Sequence, residues 1–511
     1  AGGAAFVLFF GVMAAIGASN KPSVPPKAVL IFDLNTNLVD AEHAPDPGEA
    51  LNAALSGQGG RSQSLPAAID ALDRAASDSR IAGLFLTGNL QSAGPAQLKE
   101  LREAIQRFKA KKPVIAYNMG WSKREYYLAA GASTIYVNPL GSVEANGYAS
   151  EPMFFGDAFK KYGVEMQVTR VGKYKSAVEP YILDKMSDAN REQVQKLLDD
   201  LWGEWKSSVA HDRHLTPEAL QSLADTKGVL EAEEAKQAGL VDQVAPYDVV
   251  LDALKALVGR KPKDREFPQI ALSTYAEIPG AAKEGHNRIA VLVAEGEIVD
   301  GDGKPNQIGG DSFSRELRRL RLDPQVKAVV LRVNSPGGSA AASELIQREV
   351  ILTRKVKPVV VSMGHLAASG GYWISTYGDR IFAEPGTITG SIGVFGMLPN
   401  IQKLANDHGI TWDSVQTAAM ANPMTFTRPK TDVELNRIQS IVDHIYDQFI
   451  SKVAESRKMS KDAVQEIAQG RVWSGQEAIK LGLVDEIGGL DAAEKYAAKM
   501  AKVENDYYVS G

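Results

Sequence analysis

Short runs of consecutive apolar residues punctuate the first half of the chain: AVLIF (28–32), LFLT (84–87), VIAY (114–117) and TIYV (134–137). Between them lie stretches whose apolar positions recur at helical spacing. Leu98, Leu101, Ile105 and Phe108, for example, fall on one face of a helix. The apolar runs have strand length and strand composition. Their alternation with helices predicts βαβ units around a largely parallel sheet, an α/β fold.

The same pattern occurs twice. KKPVIAYNMG (111–120) matches VKPVVVSMGH (356–365), and IAGLFLTGN (81–89) matches VKAVVLRVN (326–334). EYYLAAGASTIYVNP (125–139) aligns with GYWISTYGDRIFAEP (371–385), placing Pro139 on Pro385 at an offset of 246 that Gly163 and Gly409 share. EEAKQAGLVDQV (233–244) matches QEAIKLGLVDEI (476–487) at an offset of 243, so a few residues were gained or lost between. Two tandem α/β domains are expected, at 20–257 and 288–511, joined by a linker at 258–287 rich in Pro, Gly and charge.

The first eighteen residues, AGGAAFVLFFGVMAAIGA, carry no charge. As a helix they would reach about 27 Å, close to the hydrocarbon thickness of a bilayer. Residues 1–19 are therefore expected to form an N-terminal transmembrane helix, a membrane anchor; a signal-peptide core and a buried helix are the other readings. The chain begins without Met or a basic flank, so the anchor is expected to be truncated. NKPSVPPK (20–27) reads as a stiff spacer, and no second long apolar run follows, which makes the topology single-pass.

Composition narrows the function. With 44% hydrophobic and 23% charged residues, the 511-residue chain is neither disordered, collagen-like nor a polytopic membrane protein. Its 57 basic and 62 acidic residues give no basic excess for nucleic acid. The absence of cysteine excludes disulfides, thiolate metal sites and cysteine nucleophiles. Among seven histidines none forms an HxxxH pair, and His211 and His214 sit in a polar stretch, so no metal is expected.

The two copies differ where chemistry would sit. In the second, one strand ends in NSPGGS (334–339) and the next in MGHLAASGGYW (363–373), placing Ser369 at a strand-to-helix turn that would expose its hydroxyl. The first copy has Lys123, Arg124 and Glu125 there. A tight turn of small residues is the plainer reading. For a base, His365 stands only four residues upstream of the serine, and His408 and His444 lack an obvious Asp partner. A lysine would serve only if burial lowered its pKa, since at ~10.4 only ~0.04% is neutral at pH 7. Lys175, in TRVGKYKSAVEPYI (169–182), maps onto Ala421 of the second copy. One copy thus has the lysine without the serine and the other the reverse, as a dyad shared between copies would leave. Alternatively Lys175 is an ordinary surface lysine beside Lys173.

Taken together, NSPGGS, AASGGYW (367–373), GTITGSIGVFG (386–396) and GKYKSAVEP (172–180) resemble the signal peptide peptidase A family of the long, tandem-domain bacterial type. The resemblance covers nearly the whole chain. It implies two tandem ClpP/crotonase-like domains and a membrane-anchored serine protease with a Ser/Lys dyad. By motif the nucleophile is Ser369, the general base Lys175, and Ser391 orients the lysine. By analogy with the ClpP motif, the amides of Gly338 and Gly370 form the oxyanion hole. No cofactor is implied. The implied partners are cleaved signal peptides and other hydrophobic peptides, the lipid bilayer, and further copies of the chain in a homotetramer. The implied location is the bacterial inner membrane with the body facing the periplasm. A crotonase-like acyl-CoA enzyme and a catalytically silent membrane scaffold are the competing readings.

Overall fold

The computed structural model of the chain describes residues 23–41, 62–279 and 285–510. The apolar segment 1–19 lies outside them, and among the described residues no helix is long and apolar enough to cross a membrane. The chain folds as two α/β halves, each built on a mainly parallel sheet. The first sheet runs Gln243–Val244, Thr134–Val137, Val114–Asn118, Ile81–Thr87, Ala28–Asp33, Gln269–Ala271, every neighbour parallel. Its central strands are buried on both faces, which is why they read as unbroken apolar runs.

In the second half the strands Asn287–Glu295, Val326–Ser335, Val359–Ala368 and Arg380–Ala383 repeat the same parallel ladder. Ile388–Gly390 branches from the end of Val359–Ala368 and pairs antiparallel with Val472–Ser474. The repeated GLVD turns have one structural job. Asp242 accepts the Ile135 N–H and pairs with Arg213 at the end of helix Asp188–Arg213. Asp485 does the same with Ile381 and Arg457, at the end of helix Asp432–Arg457.

The segment read as a linker is partly built into the first half. Gln269–Ala271 adds an edge strand beside Ala28–Asp33, and helix Leu272–Glu277 buries Leu272 and Tyr275 against helix Leu65–Ser77. The Pro- and charge-rich residues before this strand masked it: three residues are too few to produce a visible apolar run.

Among the contacts that join the halves are a buried ion pair and a strand ribbon. Arg332, wholly buried on Val326–Ser335, donates to Asp40 Oδ1 at 2.9 Å and to Glu100 Oε1 at 2.6 Å, both from the first half. A buried guanidinium needs such partners, and removing one would strand a charge. Elsewhere, strand Glu165–Val171 of the first half pairs antiparallel with Val394–Asn400 of the second over seven residues. That ribbon positions the site.

Candidate active site

Strand Val359–Ala368 ends at Ser369, and helix Gly370–Ser375 begins immediately after. The reversal forces Ser369 to φ 55° and ψ −119°, a sparsely populated backbone conformation that costs a non-glycine residue about 1–3 kcal/mol. Small neighbours make the turn possible. A Cβ on Gly371 would lie 2.6 Å from Ser335 O, and one on Gly337 would lie 2.4 Å from Gly370 N. The SPGG loop and the serine turn are thus in backbone contact. Gly338 is pressed against Ile298, where a Cβ would stand 2.0 Å from the carbonyl oxygen. Among the described residues the N–H groups of Gly338 and Gly370 have no protein acceptor. A Cβ on Gly370 would lie 3.2 Å from Gly338 N, so the two glycines are packed together beside Ser369.

Lys175 arrives from the other half, in the turn that follows Glu165–Val171. Its Nζ lies 3.1 Å from Ser369 Oγ, 2.9 Å from Ser391 Oγ and 2.9 Å from Ser391 O. The turn is bolted to the second half: Tyr174 N donates to Gln469 O, and Gly470 packs on the lysine stem so closely that a Cβ there would sit 2.6 Å from Lys175 Cβ. Ser391 is held in turn by its N–H on Arg471 O at 2.7 Å. Lys175 is 4% exposed, and burial alone pushes its amine from 10.5 down to about 7. About half of it is then neutral at pH 7.

The structure therefore brings Ser369, Lys175, Ser391, Gly338 and Gly370 together, and it does so within one chain. They line a cavity of about 680 Å³ whose other walls include Trp373, Phe449, Ile445 and Phe395. A larger groove of about 1260 Å³, between helix Leu65–Ser77 and the residues around Leu490, contains none of them. His365 faces the other half instead, against Gly94, and burial lowers its pKa. His408 and His444 are exposed.

At the corresponding place in the first half, side chains fill the space. Buried Glu125 accepts from Leu90 N at 2.9 Å and from Ser122 Oγ, Arg124 donates to Leu90 O at 2.6 Å, and Lys123 caps Gly147 O. Sequence reasoning missed Gln193, which is buried beside the lysine turn. Its signal is a polar residue on the buried face of helix Asp188–Arg213, visible only once that face is known.

A hydroxyl on a strained turn, a buried amine beside it and two glycine amides without protein acceptors, all lining one largely apolar cavity, match the equipment of a serine peptidase. The model of peptidase family S49 matches residues 106–261 and 351–504. Protease 4 of Salmonella typhi is 36% identical, over 98% of this chain and 83% of its own length. The chloroplastic serine protease SPPA of Arabidopsis thaliana is 33% identical, over 86% of this chain and 66% of its own. A putative signal peptide peptidase SppA of Enterococcus faecium is 36% identical over 41% of this chain and 64% of its own. The chain belongs to peptidase family S49 and is a serine protease. Of the three functional readings, the peptidase stands.

Proposed function

We propose that the chain is a membrane-anchored endopeptidase that degrades cleaved signal peptides and other hydrophobic peptides with a Ser369/Lys175 dyad. The observation that carries this reading is the contact of 3.1 Å between a buried lysine amine and the hydroxyl of a serine in a strained turn of positive φ. Neutral Lys175 takes the Ser369 proton as Oγ attacks the peptide carbonyl, and the Gly338 and Gly370 amides receive the developing oxyanion. Lysinium then protonates the leaving amine, and in the second half-reaction the neutral amine activates water to release the acyl group. Ser391 holds the amine in line by accepting through Oγ and the carbonyl. The first domain supplies the lysine and the second the serine, with part of 258–287 linking them.

The apolar cavity walls favour hydrophobic peptides, and the uncharged run 1–18 supports a single-pass anchor in the bacterial inner membrane. A body facing the periplasm follows from the resemblance to signal peptide peptidase A. Assembly as a homotetramer has its own support in the repeat. Strand Glu165–Val171 corresponds in the second copy to 411–417, and Val394–Asn400 corresponds in the first to 148–154. Both counterparts lie in segments outside any helix or strand, with Trp412 43%, Val415 98% and Met153 70% exposed. Pairing 411–417 of one copy with 148–154 of the next would continue the internal ribbon head to tail, the kind of contact that closes into rings.

Labelling with a fluorophosphonate and hydrolysis of a fluorogenic hydrophobic peptide test the dyad. Wild type should label at Ser369, with kcat/KM rising with pH through about 7. Ser369→Ala and Lys175→Ala should each abolish turnover. Substantial turnover by Lys175→Ala would defeat the assignment.

A further inference from the structure

We infer that Gln193 is a positioning residue for the peptidase reaction, the side chain that locks the lysine turn of the first domain onto the serine-bearing segment of the second. The inference rests on the dyad reading above. Gln193 lies on helix Asp188–Arg213 and is 3% exposed. Its Nε2 donates to Tyr174 O at 2.9 Å and to Ser176 Oγ at 2.9 Å, the residues on either side of Lys175. A third contact runs to Asn190 Oδ1 at 3.2 Å. Its Oε1 accepts the N–H of Val472 at 3.1 Å, from the second domain. Val472 N can only donate, so the amide oxygen must face it and the NH2 must face the lysine turn.

Val472 is no remote anchor. The two residues before it are Gly470, which packs on the Lys175 stem, and Arg471, whose carbonyl holds Ser391 N. One side chain therefore ties the turn that carries the base to the segment that carries the base's own support. The charged groups around the turn are engaged with one another. Arg170 donates to Lys175 O and lies 3.9 Å from buried Glu179, Arg471 pairs with Glu192 at 2.8 Å and touches Tyr174 OH, and Lys173 lies over the Tyr174 ring. Glu297 lines the cavity. A neutral amide at 193 bonds both domains without adding a charge that would alter the proton affinity of the amine.

Gln193→Met keeps the volume and removes every hydrogen bond, whereas Gln193→Glu keeps an acceptor for Val472 and adds charge. Each is made in the full chain beside Lys175→Ala and the exposed Gln195→Met on the same helix. The readouts are kcat, KM, the pH profile of kcat/KM and the unfolding midpoint. A misplaced, better hydrated amine should lower kcat of Gln193→Met by about ten- to a hundredfold and leave KM within about twofold. The rising limb should move to higher pH, further in Gln193→Glu. A limb displaced by about one pH unit costs about fivefold at pH 7 and nothing well above it, so part of the loss should be recovered at pH 9. Gln195→Met should match wild type.

A lowered unfolding midpoint with unchanged kcat and unchanged limb in both Gln193 variants would overturn the inference. Should both fail to fold, Ser176→Ala, which removes one acceptor, should move the limb the same way by less; an unmoved limb there would overturn it equally. The dyad reading fails separately: turnover by Lys175→Ala removes it, whereas an inactive Lys175→Ala with unaffected Gln193 variants removes only the role of Gln193.

Discussion

Replacing Lys175 with methionine should inactivate the protein and make it more stable at neutral pH. Methionine nearly matches the lysine stem in volume and carries no proton. In the folded chain the amine is held at about 7 against 10.5 for a free lysine. Between those values the unfolded chain binds a proton that the folded chain does not, so raising the pH favours the folded form; below about 7 both states bind it and the penalty is full. At about 1.4 kcal/mol per tenfold change in the proton equilibrium, wild type bears a penalty of about 4 kcal/mol at pH 7, about 2 at pH 9 and almost none by 10.5. Against this, the variant loses three hydrogen bonds to Ser369 and Ser391, about 1 kcal/mol each. Lys175→Met should therefore be more stable by about 1 kcal/mol at pH 7 and less stable by about 1 kcal/mol at pH 9. Urea unfolding of both proteins across that range measures the difference, and all other titrations cancel in it. A difference that stays constant with pH would mean the amine keeps its proton in the folded state, and the base assignment would fall with it.

Two further substitutions probe how the lysine is held. Ser391→Ala removes one of the amine's contacts but leaves the Ser391 carbonyl, so kcat/KM at pH 7 should fall about tenfold, far less than in Lys175→Ala. Gly470→Ala and Gly259→Ala form a matched pair at φ 76° and 74°. Both carry a backbone cost of about 1–2 kcal/mol for positive φ, and Gly470→Ala should lose more than Gly259→Ala in denaturant titration because its methyl also clashes. Only Gly470→Ala places a methyl 2.6 Å from Lys175 Cβ, and only it should lose peptide hydrolysis.

Much of this site could be read before the fold was seen, because duplication provides an internal control. Ser369 aligns with Lys123, and Lys175 aligns with Ala421, in a repeat whose framework is otherwise shared. Ser391, Gly338 and Gly370 came from motif resemblance, and the structure gathers all five around one cavity. What stayed hidden depends on partners without sequence identity. Gln193 acts on the Tyr174 carbonyl and the Val472 N–H, backbone groups that every residue possesses. Arg332 sits within an apolar strand, and only the docking of the other domain supplies Asp40 and Glu100. The inter-domain ribbon joins strands that occupy different positions in their repeats, so no alignment of the copies would pair them.

That ribbon also bears on when the proposed site can form. During synthesis the first domain emerges carrying a lysine but no serine, and its own equivalent site is already filled by Glu125 and Arg124. Until Val394–Asn400 has been made and zipped onto Glu165–Val171, nothing drives Lys175 into the dry setting that strips its proton. On the proposed dyad, a half-made chain or one whose domains have come apart should be inactive, with Lys175 exposed and protonated. Docking of the two domains is then itself the step that completes the proposed site, because the ribbon brings the turn of Lys175 to Ser369.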